Sequence, residues 1–255
     1  MIKLLSIAGS DPSSGAGIQV DLKTFQALGV FGMAIPAALT VQNSQGVLRV
    51  EPLSGQLLSR QLDALLSDIK LDAIKTGMLL TEENVEAVTK AVKKFTVRNL
   101  VIDPVLRSSS GRMLMQPDAI GVLRKKLIPL ALVVTPNVPE AEALSGISIG
   151  SDQDLDFAAG KLLDSGPSFV LIKGGHRRGP ATDTLYGGKT VLTFSTLRRK
   201  GEFHGTGCVL SSALTVFIAE GLPVEKAVEK AKQFVDKLLM TAEPVGKSRT
   251  RYFHF

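Results

Sequence analysis

The chain has 255 residues, 44% of them hydrophobic, enough for one large core and a single α/β domain spanning 1–255; no low-complexity linker or fixed-period repeat divides it. Its net charge of +6 comes from small scattered basic groups, and aromatics are 5% and not interleaved with them, which speaks against a nucleic-acid surface and fits anionic small molecules. One cysteine excludes an internal disulfide framework and suits a reducing, cytoplasmic setting, and the longest apolar stretch, 31–41, contains Pro36 and is too short to span a membrane.

The opening residues carry one positive charge and a short apolar run, as a signal peptide does. The run stops at the turn cluster Asp11-Pro12-Ser13-Ser14-Gly15 with no clear cleavage site, so it reads as a buried strand over Leu4–Ala8. A helix follows over Ala16–Leu28, ended by Gly29, then an extended apolar stretch over Ala34–Val41. Ser54–Ser67 has the helical spacing of Leu57, Leu58, Leu62, Leu65 and Leu66. A short strand over Asp72–Lys75 precedes a helix from Thr81, an N-cap with acidic residues in the first turn. Leu100–Ile102 reads as a strand, Asp118–Leu127 as a helix and Ala131–Val134 as a strand. Pro139–Leu144 is a short helix ended by Gly146, Ser151–Leu163 another helix, and Phe169–Ile172 a strand. Thr184–Phe194 alternates around Gly187-Gly188, a hairpin signal, and Cys208–Ala219 and Val224–Met240 are the last helices. Short apolar strands alternating with helices predict a mostly parallel sheet covered on both faces, with ligands at the carboxyl ends of its strands.

Polar residues gather at those ends. Asp103 follows Leu100–Ile102, where a carboxylate suits Mg²⁺ or a water near phosphates, or simply caps a turn. Asn137 and Glu140 follow Ala131–Val134 and, three apart, share a helix face; the pair suits a hydrated metal, and equally a capping arrangement. Lys173 follows Phe169–Ile172 beside Gly174-Gly175, in a place for a phosphate contact, while His176 reads as structural or exposed. The most telling segment is His204-Gly205-Thr206-Gly207-Cys208, directly before an apolar helix. A helix start leaves its first N–H groups unpaired and partly positive, and glycine lets an anion approach them. The plain alternative is a Gly-rich turn. No Walker A pattern occurs, and Gly15-Ala16-Gly17 lacks the third glycine of the dinucleotide fingerprint.

Four ordered segments, residues 8–24, 135–140, 173–176 and 204–208, closely resemble the hydroxymethylpyrimidine/phosphomethylpyrimidine kinases of thiamine biosynthesis, within the ribokinase-like superfamily. The resemblance runs from about residue 4 to about residue 246. It implies a three-layer ribokinase-like α/β fold, usually a homodimer, with ATP and Mg²⁺. It implies phosphorylation of hydroxymethylpyrimidine and then of its monophosphate. By position, Gly205, Thr206, Gly207 and Cys208 match the anion hole. Asn137, Glu140 and Lys173 match the triphosphate and Mg²⁺ surroundings, Asp103 and Glu140 holding the ion through water. Gly9, Asp21, Gln42 and Met78 match the pyrimidine pocket, with Val105 flanking the ring. The tail departs from the family: Val245-Gly246-Lys247 runs into Ser248-Arg249-Thr250-Arg251 in place of a Gly-rich stretch.

On this reading the 205–208 amides hold the moving phosphate and Lys173 offsets triphosphate charge. Gln42 pairs with the 4-aminopyrimidine edge as an amide pairs with adenine, and Asp21 accepts from the amino or hydroxymethyl group. Cys208 stands where related sugar kinases carry an aspartate base; a helix start lowers a thiol's pKa, so a thiolate base is expected. A thiol that stays neutral would also repel a phosphorylated acceptor less than a carboxylate, so Cys208→Asp would spare the first step more than the second. The loop from Val105 to Met115 reads as a lid that excludes water or as a mobile surface loop. The rivals are a pyridoxal or pyridoxine kinase, a thiol hydrolase pairing Cys208 with His204 or His176, and a non-catalytic nucleotide or pyrimidine sensor.

Overall fold

The computed structural model describes residues 1–108, 111–175, 179–188 and 190–255. In chain order these form β1 (Lys3–Ser10), α1 (Gly17–Ala27), β2 (Phe31–Asn43), β3 (Gly46–Pro52), α2 (Gly55–Asp68), β4 (Ala73–Thr76), α3 (Glu82–Lys94), β5 (Leu100–Ile102), α4 (Pro117–Val122), β6 (Val133–Val134), α5 (Val138–Ser145), α6 (Asp152–Leu163), β7 (Phe169–Ile172), β8 (Ala181–Gly187), β9 (Thr190–Thr196), α7 (Thr206–Ala219), α8 (Val224–Thr241), β10 (Glu243–Pro244) and β11 (Arg251–Tyr252).

Nine strands make one sheet in the order β3-β2-β1-β4-β5-β6-β7-β8-β9. The strands from β2 to β7 run parallel, and antiparallel partners close both edges. Side chains alternate across each strand, so both faces are buried. Leu100, Ile102, Val170 and Ile172 join the core formed with α2 to α6, whereas Val101, Val133 and Leu171 join the core formed with α1, α7 and α8. The helices begin where their caps predict. The Thr81 hydroxyl accepts from Asn84 N–H, with Glu82 and Glu83 in the first turn and Lys93 and Lys94 in the last.

Three expectations change. The extended stretch at Ala34–Val41 is the middle of the longer β2, paired with an edge strand, β3, that the reading did not include. The helix expected over Asp118–Leu127 is α4, a π-helical turn over Leu123–Leu127 and a 3₁₀ turn over Ile128–Leu130. Pro129 cannot donate back to the carbonyl four residues earlier, so regular winding is lost as the chain approaches it. The tail beyond α8 forms a small antiparallel pair, β10 with β11.

Candidate active site

The carboxyl ends of the parallel strands open into a cavity of about 1060 Å³. Asp11 follows β1, Met78 follows β4, Asp103 follows β5, Asn137 follows β6 and Lys173 follows β7, and all of them line it.

Helix α7 points its start at this space. Gly205 caps it in the left-handed region, at φ 80°, and supplies no side-chain hydrogen bond. A β carbon there would stand 2.0 Å from the Gly15 carbonyl oxygen, so only glycine fits. Val209 N–H makes the first intrahelical bond, to Gly205 O at 2.9 Å. The N–H groups of Thr206, Gly207 and Cys208 precede that bond and have no acceptor in the helix. A methyl at Gly207 would lie 3.2 Å from Lys173 Nζ, which sets the lysine beside these amides.

Lys173 Nζ donates to Asp103 Oδ1 at 2.6 Å and lies 4.0 Å from Glu140 Oε2. Asp103 also accepts from the hydroxyls of Thr135 and Ser211. Burial alone would raise its pKa; Lys173 and Lys75 outweigh that and hold it below the usual carboxylate range. Glu140 lacks a full counter-charge, and burial pushes its carboxyl up to about 7. Asn137 is an N-cap: its Oδ1 accepts from Glu140 N–H while Glu140 Oε2 accepts from Asn137 N–H, a complete capping box. The capping alternative is what the structure shows, and the cap also lines the cavity. Buried Asp183, paired with Lys232 at 2.6 Å, accepts from Gly174 N–H and fixes the turn after Lys173.

Asp21 is the clearest correction. It is 0% exposed and does not line the cavity. Its Oδ1 accepts from Lys75 Nζ and Ser212 Oγ, its Oδ2 from Lys75 Nζ and Ser6 Oγ. Neither oxygen is left for an acceptor ring. Lys75, which the sequence reading passed over, lines the cavity in its place. The signal was present: a lysine within a short strand, Ala73–Thr76, between apolar Ile74 and the strand end.

Gly9, Gln42, Met78 and Val105 do line the cavity. Met78 packs with Ala38, Leu80 and Leu114, and Val105 lies against that cluster. Gln42 is not free, since its amide nitrogen lies 2.9 Å from His204 Nε2. That imidazole nitrogen also lies 3.0 Å from Asp11 Oδ2. Asp11 in turn accepts from the N–H groups of Ser13, Gly15 and Ala16, gathering the loop before α1. The tail completes the cluster. Tyr252 meets the His204 ring edge-on at a centroid distance of 5.3 Å, and its ring occupies the space where a side chain at Gly15 would sit. His204 N–H donates to Arg251 O. Asp11 sat in a recognised turn without a role, and the divergent tail gave no sign of Tyr252.

Cys208 is partly exposed, and desolvation pushes its thiol up to about 11, against the pull of Lys75 and a hydrogen bond from Gly17 N–H. The expected lowering by the helix start is outweighed. His204 turns to Asp11 and Gln42, which engages one of the two histidines considered for a thiol hydrolase. The loop from Val105 pairs back on itself, Ser108 N–H donating to Arg112 O and Leu114 N–H to Leu106 O. Arg112 ties it to the Leu48 carbonyl of β3. Ser109 and Ser110 of this loop, and His176, lie outside the described residues.

A family model described as phosphomethylpyrimidine kinase matches residues 11–252. The hydroxymethylpyrimidine/phosphomethylpyrimidine kinase of Rhizobium meliloti is 41% identical, covering 98% of this chain and 96% of its own. A crystal structure of phosphomethylpyrimidine kinase from Clostridium difficile superposes with TM-score 0.84 at 41% identity, over 93% of this chain and 99% of that one. An ADP complex of a Bacillus subtilis pyridoxal kinase superposes with TM-score 0.90 at 36% identity, over 99% and 97%.

Proposed function

Because the chain belongs to the phosphomethylpyrimidine kinase family, we propose that its cavity passes the γ-phosphoryl group of ATP to hydroxymethylpyrimidine and then to the monophosphate so formed, in thiamine biosynthesis. The observation that carries this reading is the uncapped start of α7 beside Lys173, in a cavity also lined by Gly9, Gln42, Met78 and Val105.

Phosphoryl transfer needs positioning and charge stabilisation more than covalent help from the protein. The amides of residues 206–208 grip the moving phosphoryl group, and Lys173 offsets triphosphate charge. The acceptor hydroxyl oxygen attacks phosphorus, the bond to the bridging oxygen breaks, and ADP leaves. The hydroxyl proton departs late and can pass to a phosphoryl oxygen, so the step does not require a thiolate. Cys208, protonated at neutral pH, adds no negative charge beside an acceptor that already carries a phosphate. That is the neutral-thiol half of the sequence expectation; the thiolate half is not retained.

Asp103 and the incompletely neutralised Glu140 present carboxylate oxygens of the kind Mg²⁺ takes. Mg²⁺ usually keeps several of its waters, so Asp103 and Glu140 would hold the ion through water. The ion supplies charge neutralisation of the ATP phosphates when bound. The exposed Leu39, Val41 and Leu48 on β2 and β3 support a homodimer through that edge. A cytoplasmic setting accords with the one free thiol, and no described helix is long and apolar enough to cross a membrane.

A second reading, phosphorylation of pyridoxal, is favoured by the TM-score of 0.90 to the pyridoxal kinase. One assay separates the readings: ATP consumption with each heterocycle, product mass, and competition between the two. Mono- and diphosphate of hydroxymethylpyrimidine are expected. Turnover of pyridoxal alone favours the second reading, and ligand binding without turnover would make the protein a sensor.

A further inference from the structure

The pair formed by Lys75 and Asp21 has an orientation. Both side chains are 0% exposed, yet only Lys75 lines the cavity. Asp21 lies behind it, each oxygen filled by the ammonium and one serine hydroxyl. The anchors come from four elements: Ser6 of β1, Asp21 of α1, Lys75 of β4 and Ser212 of α7. The positive end of a buried ion pair is thus held rigidly toward the reaction space. Its ammonium lies beside Gly77 and within electrostatic reach of Cys208 and Asp103, all of which line the cavity. A fixed positive charge there acts on negative charge that grows in the cavity during transfer.

Burying a charged pair is costly and usually gains little stability over an apolar replacement. A fixed charge aimed at a site of developing charge has a different use, since it needs no reorganisation as the reaction proceeds. We propose that Lys75 is an electrostatic catalytic residue of the phosphoryl transfer, its ammonium facing the entering oxygen and the transferring group, with Asp21 as the positioning residue that fixes it. This rests on the kinase reading above.

The test uses the full chain with ATP, Mg²⁺ and hydroxymethylpyrimidine. The double variant Lys75→Met with Asp21→Asn removes both charges together and leaves no unpaired ion in the core. It is expected to melt within a few degrees of the parent and to keep KM for ATP within about threefold, while kcat falls about a hundredfold, the scale of one lost transition-state contact. Affinity for ADP with aluminium fluoride, a mimic of the phosphoryl in flight, is expected to fall by a similar factor while affinity for ADP alone holds. Asp21→Asn alone leaves the lysine buried without its counter-charge; its preference for the mimic over ADP is expected to fall by less than in the double variant, because the ammonium is still present.

A folded double variant with kcat within fivefold of the parent overturns the proposal. So does an equal loss of ADP and mimic affinity in both variants, which a merely structural pair would give. Unfolding of both variants assigns the pair to stability and overturns it as well. Failure of the kinase reading shows separately, as absence of turnover by the parent chain.

Discussion

Helices α5 and α7 start at the same edge of the same cavity, and their starts are opposites. At α5 the Asn137 side chain takes the Glu140 N–H, Glu140 returns the favour to Asn137, and Pro139 has no N–H to offer. At α7 the cap is Gly205, with no side chain, and the first three N–H groups face the cavity unclaimed by the helix. One start is closed by its own residues and the other is left to a ligand. The difference teaches that an anion site is read from what is missing at a cap as much as from the dipole, which both helices share.

The comparison breaks most readily at Gly205. Gly205→Ala puts a methyl group into the Gly15 carbonyl, so the start of α7 must shift. A fall in kcat on the order of 10²–10³-fold is expected, as for loss of a main-chain oxyanion contact. Unchanged turnover would remove α7 from the mechanism. Next is the thiol. A Cys208 thiol raised from 9.0 to about 11 is alkylated by iodoacetamide at pH 8 roughly a hundredfold more slowly than an ordinary cysteine, because the thiolate fraction sets the rate. Fast alkylation with a midpoint below 9 would restore the dipole as the dominant influence.

At α5 the expected effects are on stability. Glu140 is raised from 4.5 to about 7 in the folded chain, so between those values the folded state keeps a proton that the unfolded chain has released. The stability this gives is full below about pH 4.5 and is lost as pH rises to about 7. Glu140→Gln should flatten the decline of Tm across that window, and an unchanged slope would contradict the burial argument. Smallest is Asn137→Ala, which removes a cap and should cost about 1 kcal/mol by denaturant unfolding while kcat changes by less than about threefold. A large loss of kcat there would make Asn137 a ligand contact rather than a cap.

Much of this was legible locally. β5 and β7 match their expected bounds, because each is a short apolar run with polar residues or glycine beyond it. The Thr81 cap and the Gly187 hairpin were readable for the same reason. The strand β3 was not: it lies at an edge, exposes Leu48 and Arg49, and shows no buried-strand signature. The residues gathered at the cavity were legible as strand-end positions, and 205–208 as a helix start. Who pairs with whom was not. Lys75 lies 54 positions from Asp21, and Asp11 lies 193 from His204. Such partners are chosen by the crossovers of the sheet, which leave no local pattern. The thiol's protonation was unreadable because it balances desolvation against charges on other strands.

The contact of Tyr252 and His204 with the Gly15 loop bears on how the molecule comes into being. Residues 11–16 and the side chains they meet lie far apart along the sequence, Asp11 being 193 positions from His204. A contact that closes so long a loop is entropically costly to form, so this corner of the cavity is of the kind that orders late in folding, after the parallel strands have paired.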